Sequence, residues 1–326
     1  MKLSKMTAIA AAMVMAAAPA IAAELKFANF TPPFHTVNAA VIEKLNADLS
    51  AATGGELTVR GYHGGELGKG PVEQYVRAVQ GVAEITWGLP GYTSSQFQKT
   101  MIAELPDTLG LDDSGSAAIW AAYDDHLAGE FPGTKPLAIW TSEPNVLIMK
   151  NKVVRMPSDL SGLKIRVAGA TAAKVAEALG ATPVQMPINQ VYSSLDTGLI
   201  DGVITGSTVL KDFKIAEVAG SVTTGANLGR LTFYVVMGQQ AYDALSDDEK
   251  AAIDAATGLG LSQNAEDAWF TKAATVLEGA RADDNVEVVD LTEAEAAAFS
   301  EAVSAVRDDY VASVGGEAAL AAMQGN

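Results

Sequence analysis

The stretch "PLAIWTSEPNVLIMK" (Pro136–Lys150) places two strand-like apolar runs end to end, with only Glu143-Pro144 between "LAIWTS" and "NVLIMK". Short apolar runs bounded by turn residues read as buried strands. Two of them joined so closely imply either a sharp turn or a crossing from one domain to another. Upstream, "ELKFANF" is a strand ending at Pro32-Pro33, and Val41, Leu45 and Leu49 recur at helical spacing until Gly54-Gly55 stops them. "ELTVRGY" is the next strand. Gly70-Pro71 opens a helix carrying Val72, Val76 and Val79, "AEITW" is a third strand, and a helix is expected near Ser116–Ala128. Downstream the alternation resumes with "LKIRV", a helix over Ala172–Leu179, "TPVQM", a helix over Asn189–Leu195, and "GVIT". "LTFYVVM" is a strand that can return the chain to the first domain. The last third is helical, with capping boxes at Ser246–Glu249 and Thr292–Glu295, a long alanine-rich helix between them and a short strand "VEVVDL". The β-α-β-α order predicts an α/β protein with parallel sheets flanked by helices.

Composition narrows the function. The chain has 326 residues, 49% of them apolar, no cysteine, and a formal net charge of −17. That length suits two domains. The negative charge disfavours nucleic acid as a partner, because its phosphates would be repelled. The start, "MKLSKMTAIAAAMVMAAAPAIAA", has Lys2 and Lys5, an apolar run over Ala8–Ala18, and a small-x-small site at Ala20-Ile21-Ala22. It reads as a signal peptide (residues 1–22), too short for a span, so an exported protein cleaved near Ala22 is expected, without disulfides.

Catalytic chemistry finds little support. His35, His63 and His126 fall in no metal-binding spacing, and no phosphate-cradling or nucleophile-elbow motif occurs. His35, after a strand end, is the histidine best placed to line a cleft. "DDSGSA" (Asp112–Ala117) reads as a helix entry capped by Ser114 or Ser116. "GGELGKG" (Gly64–Gly70) lacks dinucleotide spacing and reads as a turn with close backbone approach. No metal, cofactor or enzymatic activity is expected. Arg166, at the end of "LKIRV" and just before a helix, reads by default as a surface or ion-paired residue.

The ordered set of segments resembles the substrate-binding proteins of tripartite ATP-independent periplasmic (TRAP) transporters, the DctP-like family. The resemblance spans the mature chain. It is carried by "LKFANF", "GGELGKGPVEQYVRAVQGVAEI" (Gly64–Ile85), "SDLSGLKIRV" (Ser158–Val167), "LGATPVQMPINQVYSSLDTGLIDG" (Leu179–Gly202), "LSDDEKAAIDAA" and "VEVVDLTEAEAAAF". It implies a two-lobed periplasmic binding protein with a ligand cleft between the lobes and a long bracing helix. Residues 23–144 and 232–270 would form lobe I, and 145–231 and 271–326 lobe II. It also implies that Arg166 pairs with a ligand carboxylate, which suits the planar fork of a guanidinium at a strand end opening into a crevice. The protein would then be a monomer that captures a small organic acid and delivers it to two TRAP membrane subunits. A binding protein presenting its ligand to a sensor receptor would look the same in sequence, and a periplasmic enzyme on this fold is the remaining alternative.

Departures from the family pattern bear on the ligand. Many members follow "DG" with Gln-Glu-Asn-Pro; here Asp201-Gly202 precedes Val203-Ile204-Thr205-Gly206, so Thr205 stands where the asparagine would be. A second arginine near the crossing is replaced by "TSEPNV", with Asn145 the nearest polar candidate. Trp87, Leu89 and Tyr92 occupy "WGLPGY", Phe30 the first strand's exit, and Ile188 a common pocket position. Trp87 and Leu89 can equally be core residues. These substitutions predict a monocarboxylate ligand with an apolar or aromatic body, with His35 or Lys69 as the candidate for any second cation.

Overall fold

The computed structural model describes residues 23–110 and 113–325; the expected leader lies outside them. The crossing alternative holds at Pro136–Lys150. Strand β4 (Thr134–Thr141) belongs to one sheet and β5 (Asn145–Met149) to another. The first sheet has the order β2-β1-β3-β10-β4, with β1 at Ala23–Ala28, β2 at Leu57–Tyr62, β3 at Ile85–Gly88 and β10 at Thr232–Gly238. The second has the order β11-β9-β5-β8-β6-β7, with β6 at Lys164–Val167, β7 at Thr182–Gln185, β8 at Gly202–Gly206, β9 at Ser221–Thr224 and β11 at Glu287–Asp290.

The sheets are mixed rather than wholly parallel. β10 runs antiparallel between β3 and β4, and β5 runs antiparallel between β9 and β8. Both reversals occur in the strands that follow a passage between sheets. The two passages lie side by side: Ser142 N–H donates to Leu231 O at 2.8 Å, Leu231 N–H to Ser142 Oγ at 3.0 Å, and Asn145 N–H to Gly229 O at 2.9 Å. Gly229 is required in this bundle, since its φ is +71° and a Cβ would lie 1.9 Å from Glu104 O.

A 23-residue helix, Leu259–Arg281, braces both halves. Its Ser262 Oγ accepts from Ile139 N–H of β4 at 2.9 Å, Trp269 packs beneath the first sheet, and Lys272 reaches Asp212 of the other half at 3.6 Å. Glu266 accepts from Gly115 and Ser116 N–H at the start of the Gly115–Ala122 helix, which Ser114 caps as expected.

One expectation needs correction. The helix expected to open at Gly70-Pro71 and carry Val72, Val76 and Val79 starts only at Gln74 (Gln74–Val79), leaving Val72 outside it, and the valines are exposed while Tyr75, Arg77 and Ala78 turn inward. Arg77 explains the inversion, because its guanidinium donates to Gly70 O and Lys69 O and the glycine loop folds over it; a Cβ on Gly68 would meet Arg77 Nε at 2.3 Å. The C-terminal region packs on both halves. Glu317–Met323 lies against the Gly115–Ala122 helix, and Val306–Val314 against Ala170–Ala178.

Candidate functional site

Strand ends of the two sheets face one another across a cavity, as expected where strands of open α/β sheets deliver their C-terminal ends. The first sheet contributes Phe30 after β1, then Trp87, Leu89 and Tyr92 at and after β3, and Phe233 on β10. The second contributes Arg166 on β6 and Thr205-Gly206 on β8. Ile188, Thr208, Val209 and Phe213 come from the segments that follow β7 and β8. Ser142 of the crossing, Leu231, His35 and Trp269 of the long helix complete the wall. The cavity has about 440 Å³ of space between its wall atoms, within the range of small-ligand sites.

Eight of the nine residues singled out in the sequence line this cavity: Phe30, His35, Trp87, Leu89, Tyr92, Arg166, Ile188 and Thr205. Asn145 does not. It sits on the far side of the crossing in a separate groove, 2% exposed, with Nδ2 donating to Leu228 O at 3.2 Å. The crossing bends at Glu143, and from there the chain has left the cavity wall: Ser142 faces the cavity, whereas Glu143, Pro144, Asn145 and Val146 all line the groove. Lys69 is exposed in the glycine loop and is not part of the cavity wall.

Arg166 is 1% exposed. Its Nε donates to Met186 O at 2.9 Å and its Nη2 reaches Tyr92 Oη at 3.5 Å, and among the described residues no carboxylate pairs with it. Burial pulls its pKa down, with the Tyr92 hydroxyl opposing, but a guanidinium keeps its proton in proteins. A buried cation with no anionic partner is costly unless something supplies one. Tyr92 also links the halves, because its hydroxyl accepts from Ile188 N–H at 3.1 Å. Beside it, Ala170 N–H donates to Ser94 Oγ at 3.3 Å, and Gly91 and Gly169 are so close that a Cβ on Gly169 would lie 2.6 Å from Gly91 Cα.

The rest of the wall is aromatic. Phe30 stacks on Trp87 with centroids 4.6 Å apart, and Trp87 also neighbours Phe233 and Trp269. Trp87 Nε1–H is satisfied by Asn29 Oδ1 at 2.8 Å. Trp87 and Leu89 are both core and cavity residues, being almost fully buried while lining the space. His35 is neutral: burial pushes its pKa down to about 4, Asp212 raising it and Lys272 lowering it. Trp269, Phe213 and Phe233 were not legible as site residues, because large apolar side chains in a helix or strand give no local sign of which cavity they face.

Two α/β halves closed over a small apolar chamber, with one cation among its described wall residues, are the architecture of a protein that encloses a small solute. The chain belongs to the bacterial extracellular solute-binding proteins, family 7 (DctP), which it matches over residues 27–313. It is 31% identical over 200 residues to the C4-dicarboxylate-binding periplasmic protein DctP of Rhodobacter capsulatus, a match covering 58% of this chain and 56% of that protein. The chain thus spans about half the length of that curated relative. Solved structures align more fully. A TRAP solute-binding protein from Rhodoferax ferrireducens with copurified benzoate superposes with a TM-score of 0.87 at 27% identity, covering 93% of this chain and 97% of that one. Another, from Bordetella bronchiseptica with bound (R)- and (S)-mandelate, gives 0.84 at 28% identity, covering 93% and 98%. The two-lobed fold is that of these proteins. Among the described residues, no cluster of three or more His, Cys, Asp or Glu could hold a metal ion, and no helix is long and apolar enough to cross a membrane.

Proposed function

We propose that this protein is a periplasmic TRAP solute-binding protein whose ligand is an aromatic monocarboxylate of about the size of benzoate or mandelate. It captures the acid between its lobes and delivers it, chemically unchanged, to the TRAP membrane subunits. The observation that carries this reading is Arg166, a fully buried guanidinium with no carboxylate partner among the described residues, facing a cavity walled by rings. A ligand carboxylate would supply the missing charge through paired hydrogen bonds. His35 is neutral and Lys69 lies elsewhere, so a second carboxylate would find no cation. That argues against a dicarboxylate, although the relative from Rhodobacter capsulatus is named for one. The benzoate and mandelate held by the two solved relatives agree with an aryl acid. The lobes would divide as the sheets do, with residues 23–141 and 232–238 in one and 145–224 with β11 in the other, and the protein would act as a monomer.

Isothermal titration of refolded, ligand-free protein tests the ligand class. Benzoate, mandelate or phenylpyruvate should bind tightly and succinate at least a hundredfold more weakly, since an unpaired buried charge costs several kcal/mol. Tight succinate binding without aryl-acid binding would overturn the reading. Export with cleavage after Ala22 belongs to the same proposal. Intact mass of periplasmic protein checks it, and an uncut chain would contradict it.

A further inference from the structure

The polar groups of the cavity are unevenly placed. Arg166 lies with Tyr92 and Met186, whereas His35 packs among Trp87, Phe213 and Trp269 at centroid distances of 5.3–5.7 Å. The two share no ring or hydrogen-bond neighbour.

His35 is in a defined tautomer. Its Nδ1 accepts from Val37 N–H at 3.1 Å, so the ring hydrogen is on Nε2. Nε2 is 3.8 Å from Asp212 Oδ2, too far for a hydrogen bond, and that oxygen already accepts from Thr36 N–H and Thr36 Oγ1. His35 is 5% exposed and lines the cavity, and its Nε2–H makes no hydrogen bond within the protein. Leaving such a donor against an apolar ligand surface forfeits a hydrogen bond. Asp212, beside it, is paired with Lys272 at 3.6 Å.

We infer that His35 reads a neutral hydroxyl on the ligand's ring, remote from the carboxylate that Arg166 holds, so that the preferred substrate class is the hydroxylated aryl acids. This deepens the proposed function and rests on it. A hydroxyl oxygen accepts from Nε2–H, and an uncharged group needs no counter-ion there. Burial keeps His35 neutral, so it offers one hydrogen bond without adding the positive charge that would favour dicarboxylates.

The test compares dissociation constants for benzoate, 3-hydroxybenzoate and 4-hydroxybenzoate by calorimetry. On the wild-type protein at least one hydroxylated acid should bind roughly tenfold more tightly than benzoate, the range of one buried hydrogen bond. In His35→Phe that ratio should fall to about one, whatever happens to both constants. His35→Gln, which keeps a donor, should retain part of it and guards against a folding defect in the phenylalanine variant. If benzoate binds but neither hydroxylated acid is preferred, or if the preference survives in His35→Phe, the inference is wrong and the aryl-acid reading stands. If no aryl acid binds, both fail.

Discussion

In the proposed reading, a single guanidinium sets what this protein can hold. Arg166 sits on a strand whose neighbours, Val203 on β8 and Val184 on β7, are apolar, so nothing in its own sheet neutralises it. Removing it should leave a folded protein, since it forms no ion pair that another residue needs. Arg166→Ala is expected to lose ~2–5 kcal/mol of binding to an aryl acid, roughly 30- to 5,000-fold in Kd. Arg166→Lys should also bind weakly, because an ammonium cannot present the two parallel donors of the fork. Near-wild-type affinity in a stably folded alanine variant, measured by calorimetry, would remove Arg166 from the site.

At the scale of elements, the turn after β3 and the start of the helix after β6 meet at a pair of glycines. Gly169 has φ of −159°, extended backbone open to any residue, so its role is close approach rather than conformation. A methyl there would lie 2.6 Å from Gly91 Cα and 2.7 Å from Gly91 O. Gly169→Ala should therefore fold normally yet resist closing the halves, and aryl-acid affinity should drop by roughly tenfold or more, since lobe closure is what lets a ligand touch both halves at once. Small-angle scattering with saturating ligand should give a larger radius of gyration than wild type under the same conditions. An unchanged radius and affinity would show that the two elements slide apart at no cost.

For the molecule as a whole, two buried carboxyls tie stability to pH. Glu104 accepts from Thr171 Oγ1 in the second half and from Thr232 N–H at 3.0 Å in the first sheet, and burial pushes its pKa up from 4.5 to about 7. Burial likewise holds Glu143, beside the crossing, at about 7. A raised folded pKa means that the native state keeps a proton the unfolded chain has released, so this stabilisation is present below pH 4.5 and lost as pH rises through about 7. Glu104→Gln keeps the shape without the ionisation. Its stability relative to wild type should be most favourable above pH 7 and shrink towards pH 4.5, read from urea midpoints at fixed salt. A difference independent of pH would sink the idea. His35 acts in the opposite sense, its depressed pKa costing stability as pH falls from 6.5 towards 4.

The α/β alternation, the capping boxes at Ser246 and Thr292 and the strand at Arg166 were legible in the sequence, because each rests on local periodicity or on side chains within a few residues of the backbone they cap. The family was legible too, from segments whose order survives without any knowledge of their packing. Strand direction was not: β5 and β10 run antiparallel because the chain passes between sheets, and alternation alone carries no sign of that. The outward face of Val72, Val76 and Val79 depended on Arg77 claiming the inside, a choice made by the glycine loop. Asn145 was close in sequence to the cavity and carried to its far side by the bend of the crossing at Glu143. Trp269 came from more than a hundred residues away to close the aromatic wall around Trp87. Short-range geometry was therefore written in the sequence, whereas the side of a wall that a residue faces, and what neutralises a buried charge there, were decided only when distant segments packed together.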